Sequence, residues 1–256
     1  MTEKKIIEIL WTGGFDSTFR VLQLSMVPVT VQPYYLSDNR KSETMELNAI
    51  ENISRLIMHK PATRFELLPL KYIPINERTA SEEVSGAFNR IKSQHHIGSQ
   101  YEWLACFALI HPGIELGVLV DPNWVKLLNK FGELKKNFNS DIGDYYVVDT
   151  EHSSGDFITL FGNYHFPLAF LKKLEMKEKY IAWGSKDIME LTWFCHTPIN
   201  EEPCGKCIPC KIAIEAGLKD RFSKTALKQY WKSKVRSLIN KFINRTSKYF
   251  KLDKKI

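Results

Sequence analysis

The chain alternates between short apolar runs and longer segments in which apolar residues recur at helical spacing. Residues 5–11 form an apolar run with one internal charge, which is the pattern of a buried parallel strand. A glycine turn follows, and from Asp16 onward Phe19, Val21 and Leu22 recur with the spacing of a helix. Strands that alternate with helices form βα units with right-handed crossovers. The pattern therefore predicts an α/β fold with a five-stranded, mostly parallel sheet.

The same two patterns, apolar runs and helical spacing, predict the remaining elements. Ser37, Asp38 and Asn39 are typical capping residues, and we expect them to begin the second helix. Residues 71–98 are mostly polar and irregular, which is typical of a lid or of part of a pocket. The later strands are predicted at residues 29–36, 64–70 and 114–120, with candidates at 145–148 and 157–161. The helices are predicted at residues 37–58, 79–92, 100–111, 124–138, 167–174, 177–183 and 186–191.

The turn between the first strand and the first helix, residues 12–18 (TGGFDST), has the composition of an anion site. Glycines let the backbone approach an oxyanion, and the N–H groups and dipole of a helix N-terminus favour negative charge. The hydroxyls of Thr12, Ser17 and Thr18 can donate to phosphate oxygens, and Asp16 is placed to hold Mg²⁺. The turn lacks the lysine of a Walker A loop and the third glycine of a dinucleotide loop, which excludes both.

Other polar residues lie where predicted strands end. Ligands of parallel sheets bind at the carboxyl ends of the strands, and residues 12–17, 36–39 and 121–124 all follow such ends. Asp121 is therefore a candidate ligand-contacting residue. Lys173 could reach a phosphate as a point charge or lie on a solvated helix face.

Length and composition limit the class of protein. The chain has 256 residues, of which 44% are hydrophobic and 25% charged, as expected for one globular domain with appendages. Residues 1–10 lack the apolar core of a signal peptide, and no apolar stretch reaches membrane-spanning length. We therefore expect a cytoplasmic protein with reduced thiols.

The net charge of +7 is concentrated at the C-terminal end. Residues 219–256 contain 13 Lys/Arg and two acidic residues, whereas the rest of the chain has 23 basic and 27 acidic side chains. Within this tail apolar residues recur at helical spacing between the cations, which predicts a basic amphipathic helix. Such a helix binds RNA or an anionic membrane surface, or packs on its own domain or on a homodimer partner. The sequence leaves these alternatives open.

Four of the five cysteines have the spacing of a metal site. Cys195, Cys204, Cys207 and Cys210 form a C-x8-C-x2-C-x2-C pattern, with Gly205 easing the turn after the second cysteine. This pattern supplies four thiolates for tetrahedral Zn²⁺. With sulfur in all four positions, the site would be structural, because no coordination position stays open for catalysis. An iron–sulfur cluster and metal-free, redox-active cysteines are the alternatives.

The loop and the cysteine pattern together resemble a known enzyme family. Residues 12–17 resemble the S/T-G-G-x-D-S loop of the PP-loop ATP pyrophosphatases. Residues 191–195 (LTWFC) and 204–210 (CGKCIPC) resemble the L-T-W-S-C and C-G-x-C-x-x-C signatures of the 7-cyano-7-deazaguanine synthase family of queuosine biosynthesis. Residues 167–173 resemble its proline-leucine and lysine-bearing segment. The resemblance covers about residues 5–215, with gaps.

The resemblance implies an ATP-dependent ligase with the PP-loop fold. In that family a carboxylate attacks the α-phosphorus of ATP, pyrophosphate leaves, and ammonia displaces AMP from the acyl adenylate. The implied cofactors are ATP, Mg²⁺ and Zn²⁺, and the implied partners are a small-molecule carboxylate and ammonia. The implied catalytic residues are Asp16, Ser17 and Lys173. The implied ATP-binding residues are Trp11, Thr12, Gly13, Gly14, Phe15, Asp16, Ser17, Thr18, Leu36, Gly98, Gln100 and Asp121.

This interpretation divides the chain into three parts. Residues 1–190 are predicted to form the PP-loop ATP-binding α/β domain, residues 191–218 the four-cysteine zinc module, and residues 219–256 the basic tail.

The chain departs from the family at segments that face the substrate. A Pro-Gly-Arg-Asn segment of the family is replaced by residues 96–100 (HIGSQ), and an Asp-Cys-Arg stretch by residues 121–124 (DPNW). The arginine after the last cysteine is replaced by Lys211. An adenylating enzyme that acts on RNA, a protein terminus or another small carboxylate is therefore an alternative hypothesis. A non-catalytic ATP-binding protein is another.

Overall fold

A computed structural model of the protein describes residues 6–252, and for residues 238 and 240–252 it describes the backbone alone. The described residues contain strands that are mostly short. They are β1 (Ile6–Leu10), β2 (Thr30–Leu36), β3 (Glu66–Leu67), β4 (Lys71–Ile73), β5 (Ile114–Glu115), β6 (Glu133–Asn137), β7 (Tyr145–Asp149) and β8 (Tyr164–His165).

Six of these strands form one parallel sheet. Its order is β3-β2-β1-β5-β8, and β4 pairs with β2 beyond the end of β3. Every pairing between strands of this sheet is parallel, whereas β6 and β7 form a separate antiparallel pair. The predicted α/β class, with a mostly parallel sheet of about five strand positions, is confirmed.

Helices connect the strands and continue to the end of the described chain. Among the described residues, no helix combines the length and the apolar composition that a membrane-spanning helix requires. The α-helices are α1 (Phe15–Ser25), α2 (Glu43–Met58), α3 (Glu82–Lys92), α4 (Gln100–Ile110), α5 (Pro122–Phe131), α6 (Gly155–Phe161), α7 (Lys173–Ala182), α8 (Lys186–Glu190), α9 (Ile208–Glu215) and α10 (Lys224–Leu252). Short 3₁₀ turns lie at Ile75–Glu77 and Lys219–Arg221.

The central strands contribute to two hydrophobic clusters. Leu10 and Leu36 belong to the cluster that contains the buried residues of α3, α4 and α6. Ile9, Trp11 and Tyr35 belong to the cluster that contains the buried residues of α1 and α2. Because successive side chains of a strand point to opposite faces, the two clusters lie on the two faces of the sheet. Helices therefore cover both faces, which explains why all seven residues of β2 are buried.

The chain divides into two compact units. Within the described residues, the sheet unit contains residues 6–39 and 46–193, and the cysteine unit contains residues 40–45 and 194–252. All eight strands belong to the sheet unit, whereas α9 and α10 belong to the cysteine unit.

The predicted helix start at residues 37–39 is wrong. Asn39 has a φ of 56°, in the left-handed region, and its N–H donates to Ser37 Oγ over 3.3 Å. The Ser37 N–H in turn donates to the Ile73 carbonyl over 2.9 Å, which ties this turn to β4. A left-handed residue does not fit the first turn of an α-helix, and α2 therefore begins at Glu43.

In two segments the secondary structure is of the other kind than predicted, a strand in place of a helix and a helix in place of a strand. Residues 133–137 form β6 and not the end of a helix, because their pairing with β7 outweighs helical propensity. Residues 157–161 form the last part of α6 and not a strand. A short apolar run fits a buried strand or a buried helix equally well. Here the Ser154 Oγ accepts the Phe157 N–H over 3.4 Å and begins a helix.

Three predicted boundaries also differ from the structure. The strand predicted at 114–120 is only two residues long, and β8, its neighbour, was not predicted. The strand predicted at 64–70 is replaced by the short strands β3 and β4. The helix predicted at 167–174 begins only at Lys173, where the Glu175 carboxylate accepts the Lys172 N–H over 3.1 Å.

Candidate functional site

The loop at residues 11–14 lies where the strand order of the parallel sheet reverses. β1 pairs with β2 on one side and with β5 on the other, and the chain then crosses from β1 into α1. The carboxyl end of a strand at such a switch point is where open α/β sheets bind ligands. The sequence predicts an anion site at the end of β1, and the topology makes that end a switch point.

Gly13 fits its position only because it has no side chain. Its φ is +65°, and a Cβ built there would lie 2.8 Å from the Glu46 carbonyl oxygen and 3.1 Å from the Ala49 Cβ. The Gly13 carbonyl accepts the Trp193 N–H over 2.9 Å. The loop backbone is thus packed on α2 and tied to Trp193, so its amide groups have a fixed direction.

The loop leads directly into the N-terminus of α1. Gly14 is the N-cap residue, and its carbonyl accepts the Thr18 N–H over 3.0 Å. The earlier N–H groups of the helix have no intrahelical acceptor, and the helix dipole is positive at this end. The start of α1 therefore offers several directed donors to an anion.

Gly117 also borders this helix start, although it is not among the site residues predicted from the sequence. A Cβ at Gly117 would lie 3.2 Å from both the N and the Cα atoms of Ser17. The chain after β5 can therefore pass close to the first turn of α1. A lone glycine within the strand predicted at 114–120 was the available signal, because such a glycine often marks a close backbone approach.

Asp16 and Lys173 form an ion pair, although they lie far apart in the sequence. The Lys173 Nζ also lies 4.4 Å from the centre of the Phe15 ring, within cation–π distance. The side chains of Asp16 and Lys173 are 31% and 56% exposed, so both are accessible to a ligand. The fold thus brings a carboxylate and an ammonium group to the end of α1 that attracts anions.

Three other predicted ATP-binding residues are buried. Trp11 and Thr18 are fully buried, and the Trp11 Nε1 donates to the Thr18 Oγ1 over 3.0 Å. Leu36 is also buried, in the cluster with α3 and α4. The side chains of these residues therefore hold the loop in place, and only their backbone atoms could face a ligand. The Ser17 hydroxyl is mostly buried and lies 3.5 Å from the Gly14 carbonyl oxygen.

Gly98, Gln100 and Asp121 have local partners. The Asp121 carboxylate caps α5 by accepting the N–H groups of Asn123 and Trp124 over 2.9 and 2.8 Å. The Gln100 side chain folds over Gly98, where an added Cβ would lie 2.5 Å from its Oε1. Among the described residues, no hydrogen bond or ion pair joins these three residues to the 11–18 loop.

A buried ion pair supports the elements beside the loop. The Arg20 guanidinium of α1 forms two hydrogen bonds to the Glu115 carboxylate of β5, over 2.7 and 2.6 Å, and a third to the Ile142 carbonyl over 2.9 Å. Both side chains are almost fully buried. The pair was not predicted, although an arginine among the apolar residues of α1 was a visible signal. It joins α1 to β5, whose ends border the Gly13 loop and Gly117.

The four predicted metal ligands meet in the cysteine unit. The Sγ atoms of Cys195, Cys204, Cys207 and Cys210 all lie within 4.8 Å of one another. Two of the separations are 3.9 Å, between Cys204 and Cys210, and 4.0 Å, between Cys195 and Cys207. A zinc tetrahedron with bonds of about 2.3 Å separates its sulfur atoms by about 3.8 Å. The cluster can therefore hold a metal ion such as zinc.

Backbone amides already point at the sulfur atoms. The Cys204 N–H donates to the Cys195 Sγ over 3.2 Å, and the N–H groups of Lys206 and Cys207 donate to the Cys204 Sγ over 3.4 Å. Such bonds orient metal-bound thiolates and offset their negative charge. Gly205 makes this turn, with a φ of +72° and a virtual Cβ only 2.0 Å from the Ala226 carbonyl oxygen.

Electrostatics within the cluster favour a cation. The Cys210 thiol donates a hydrogen bond to Cys195 and lowers the pKa of Cys195 to about 5, while burial acts in the opposite direction. Because Cys210 is the donor and is also buried, its own pKa is raised. Ionising all four thiols would place four negative charges in this small volume, and a divalent cation would offset them.

No protein-family model and no curated protein matches the chain. The functional interpretation therefore depends on two groups of residues: the loop with Asp16 and Lys173, and the four cysteines.

Proposed function

We propose that the protein is an ATP-dependent ligase that releases AMP and pyrophosphate while it joins ammonia to a carboxylate. The observation that carries this proposal is the contact between Asp16 and Lys173 at the N-terminus of α1, beside the Gly13-Gly14 turn. A glycine turn, a helix N-terminus, a carboxylate and a lysine are the groups that a triphosphate with its metal ion needs. The resemblance to the PP-loop enzymes supports the same chemistry.

The residues of the loop would act on the charge that develops during adenylation. A carboxylate oxygen of the acceptor attacks the α-phosphorus of ATP, and the bond to the β,γ-pyrophosphate breaks. Backbone N–H groups at the start of α1 would donate to the departing pyrophosphate oxygens. Lys173 would exchange its contact with Asp16 for the phosphate oxygens. A Mg²⁺ ion held by Asp16 would supply further positive charge at the phosphates.

The second step would join nitrogen to the acyl group. Ammonia attacks the acyl carbon of the adenylate, and AMP leaves with the electron pair of the broken C–O bond. The four cysteines would hold zinc in a structural role, because sulfur fills all four positions and none is open to substrate. The reduced thiols of such a site are best maintained in the cytoplasm, where we expect the enzyme to act.

The acceptor that we propose first is 7-carboxy-7-deazaguanine, with formation of the amide and then the nitrile. This choice follows from the cysteine signature at residues 191–210. Residues 96–100 and 121–124 differ from the corresponding family segments, which face the substrate. The experiment therefore also tests other small carboxylates as acceptors.

The test measures AMP and pyrophosphate release from ATP–Mg²⁺ in the presence of 7-carboxy-7-deazaguanine and ammonium. We expect turnover by the native protein and a loss of about 10²–10³-fold in kcat for Asp16→Ala and for Lys173→Ala, since each removes a group that stabilises charge. Lys172→Ala is the matched control, because Lys172 is an exposed neighbour that forms no ion pair with any of the described residues.

The outcomes separate the hypotheses. Turnover that is unchanged in Asp16→Ala would contradict the proposed role of the loop. Exchange of labelled pyrophosphate into ATP with another carboxylate, but not with the deazaguanine, would keep the adenylation chemistry and replace the acceptor. ATP binding without exchange for any acceptor would favour a non-catalytic nucleotide-binding protein.

A further inference from the structure

One face of α10 exposes large apolar side chains. Trp231, Val235 and Ile239 are spaced four residues apart and are 55%, 52% and 53% exposed. Residues four apart lie on one face of a helix, so the three side chains form a continuous stripe. We call Trp231, Val235 and Ile239 the apolar stripe.

Cations flank the apolar stripe. Lys228, Lys232 and Arg236 line the same shallow groove as the three apolar residues. The sequence of α10, residues 224–252, contains nine Lys/Arg and no Asp or Glu. The partner of this face should therefore combine negative charge with an apolar layer.

A different face holds the helix to its own unit. Ala226 and Tyr230 are buried, and the Tyr230 hydroxyl donates to the Glu215 carboxylate over 2.9 Å. Lys234 also contacts Glu215, over 3.4 Å, on the Tyr230 side of the helix. These contacts fix the first turns of α10 while the apolar stripe stays exposed.

An anionic bilayer matches this face better than RNA or a second copy of the chain. RNA phosphates would bind the cations, but Val235 and Ile239 would gain nothing from them. Two copies of α10 placed face to face would bring together two helices that carry only positive charge. In a bilayer surface, tryptophan favours the headgroup level, aliphatic side chains enter the acyl region, and cations contact lipid phosphates.

We propose that this face of α10 binds the surface of an anionic phospholipid bilayer. The helix lies along the interface, with the apolar stripe among the acyl chains and Lys228, Lys232 and Arg236 at the phosphate groups. Two observations support this proposal: the apolar stripe is exposed to solvent, and α10 contains no acidic residue. It is independent of the proposed ligase activity, and its test uses no ATP.

The experiment measures flotation of the full chain with vesicles of phosphatidylcholine alone and of phosphatidylcholine mixed with phosphatidylglycerol. We expect partitioning into the anionic vesicles to be at least roughly tenfold stronger than into the neutral ones, and to weaken as salt is added. The triple variant Trp231→Ser, Val235→Ser, Ile239→Ser should lose at least roughly tenfold in partitioning, because it removes the inserted apolar area.

Matched controls test whether the location of the changes matters. The variant Ile110→Ser, Phe138→Ser removes apolar side chains elsewhere that are at least as exposed as the apolar stripe, and it should bind like the native chain. The triple variant Lys228→Glu, Lys232→Glu, Arg236→Glu should lose the preference for anionic vesicles. The control variant Lys126→Glu, Lys177→Glu, Lys179→Glu makes the same change in net charge at exposed positions elsewhere. It should keep most of the preference for anionic vesicles.

Several results would overturn the proposal. Equal binding to both kinds of vesicle would remove the role of lipid charge, and binding unaffected by the serine variant would remove the role of the apolar stripe. RNA binding that survives the serine variant, with no vesicle binding, would replace the bilayer by RNA. A concentration-dependent dimer that the serine variant dissociates would replace it by a second copy.

Discussion

Arg20 and Glu115 show how much a single buried contact can contribute beside the candidate site. Each of the three hydrogen bonds of the Arg20 guanidinium goes to a buried acceptor, so its charge is well compensated. A buried ion pair adds little over an apolar pair of similar volume, but losing one partner leaves a charge without compensation. The contribution of the pair to stability is therefore clearest when only one of the two side chains is removed.

We expect Glu115→Ala to lower the free energy of unfolding by about 3–5 kcal/mol. The double variant Arg20→Met, Glu115→Leu should recover most of that loss, because no unpaired charge stays buried. Urea unfolding of both variants measures the effect. Glu190→Ala is the control: it breaks the exposed pair with Lys186 and should change stability by less than about 0.5 kcal/mol. A loss below about 1 kcal/mol for Glu115→Ala would contradict the assigned role of the pair.

At the scale of the elements, the junction between β1 and α1 depends on glycine. Gly13 has a left-handed backbone and also lies against the Glu46 carbonyl and Ala49. Gly184 has a similar φ of +60°, but an added Cβ there would meet nothing within 4 Å. A comparison of alanine substitutions at the two positions therefore separates the cost of backbone strain from the cost of steric contact.

We expect Gly184→Ala to cost about 1 kcal/mol, from the left-handed backbone alone. Gly13→Ala should cost more, about 2–3 kcal/mol, because α2 must also move away from the new methyl group. Thermal unfolding compares the two variants, and ATP binding should weaken only in Gly13→Ala. Equal losses of stability would show that the contact with Glu46 does not constrain the loop.

At the scale of the whole molecule, the described side chains of the cysteine unit form a limited apolar core beyond the four cysteines. Cys195, Cys204 and Cys210 are buried, together with few large apolar side chains such as Phe222 and Tyr230. Small units of this kind commonly need a metal ion for stability, because binding and folding share one free energy. The fifth cysteine, Cys106, is buried in α4 of the sheet unit and provides an internal comparison.

We expect the purified protein to contain about one zinc ion per chain. Cys204→Ser should lose the metal and lower the unfolding midpoint, whereas Cys106→Ser should keep it. Metal analysis and a melting curve with and without chelator test this prediction. Iron and sulfide in place of zinc would instead support the iron–sulfur alternative, and full stability after chelation would contradict the link between metal and folding.

The sequence by itself determined the features that depend on neighbours along the chain. Short apolar runs predicted β1 and β2, because a parallel strand is buried on both faces, and apolar residues at helical spacing predicted α1. The loop at residues 12–17 and the four cysteines were also predicted, since a turn and a chelating motif each lie within a short segment. These features need no knowledge of distant residues.

Only the tertiary structure decided the contacts between distant segments. It paired Asp16 with Lys173 and Arg20 with Glu115, and it brought Gly117 against the first turn of α1. It also made residues 133–137 a strand, because β7 lay beside them, whereas their local propensity favoured a helix. These contacts depend on which segments meet when residues far apart in the sequence are brought together by folding. Local periodicity carries no information about that step.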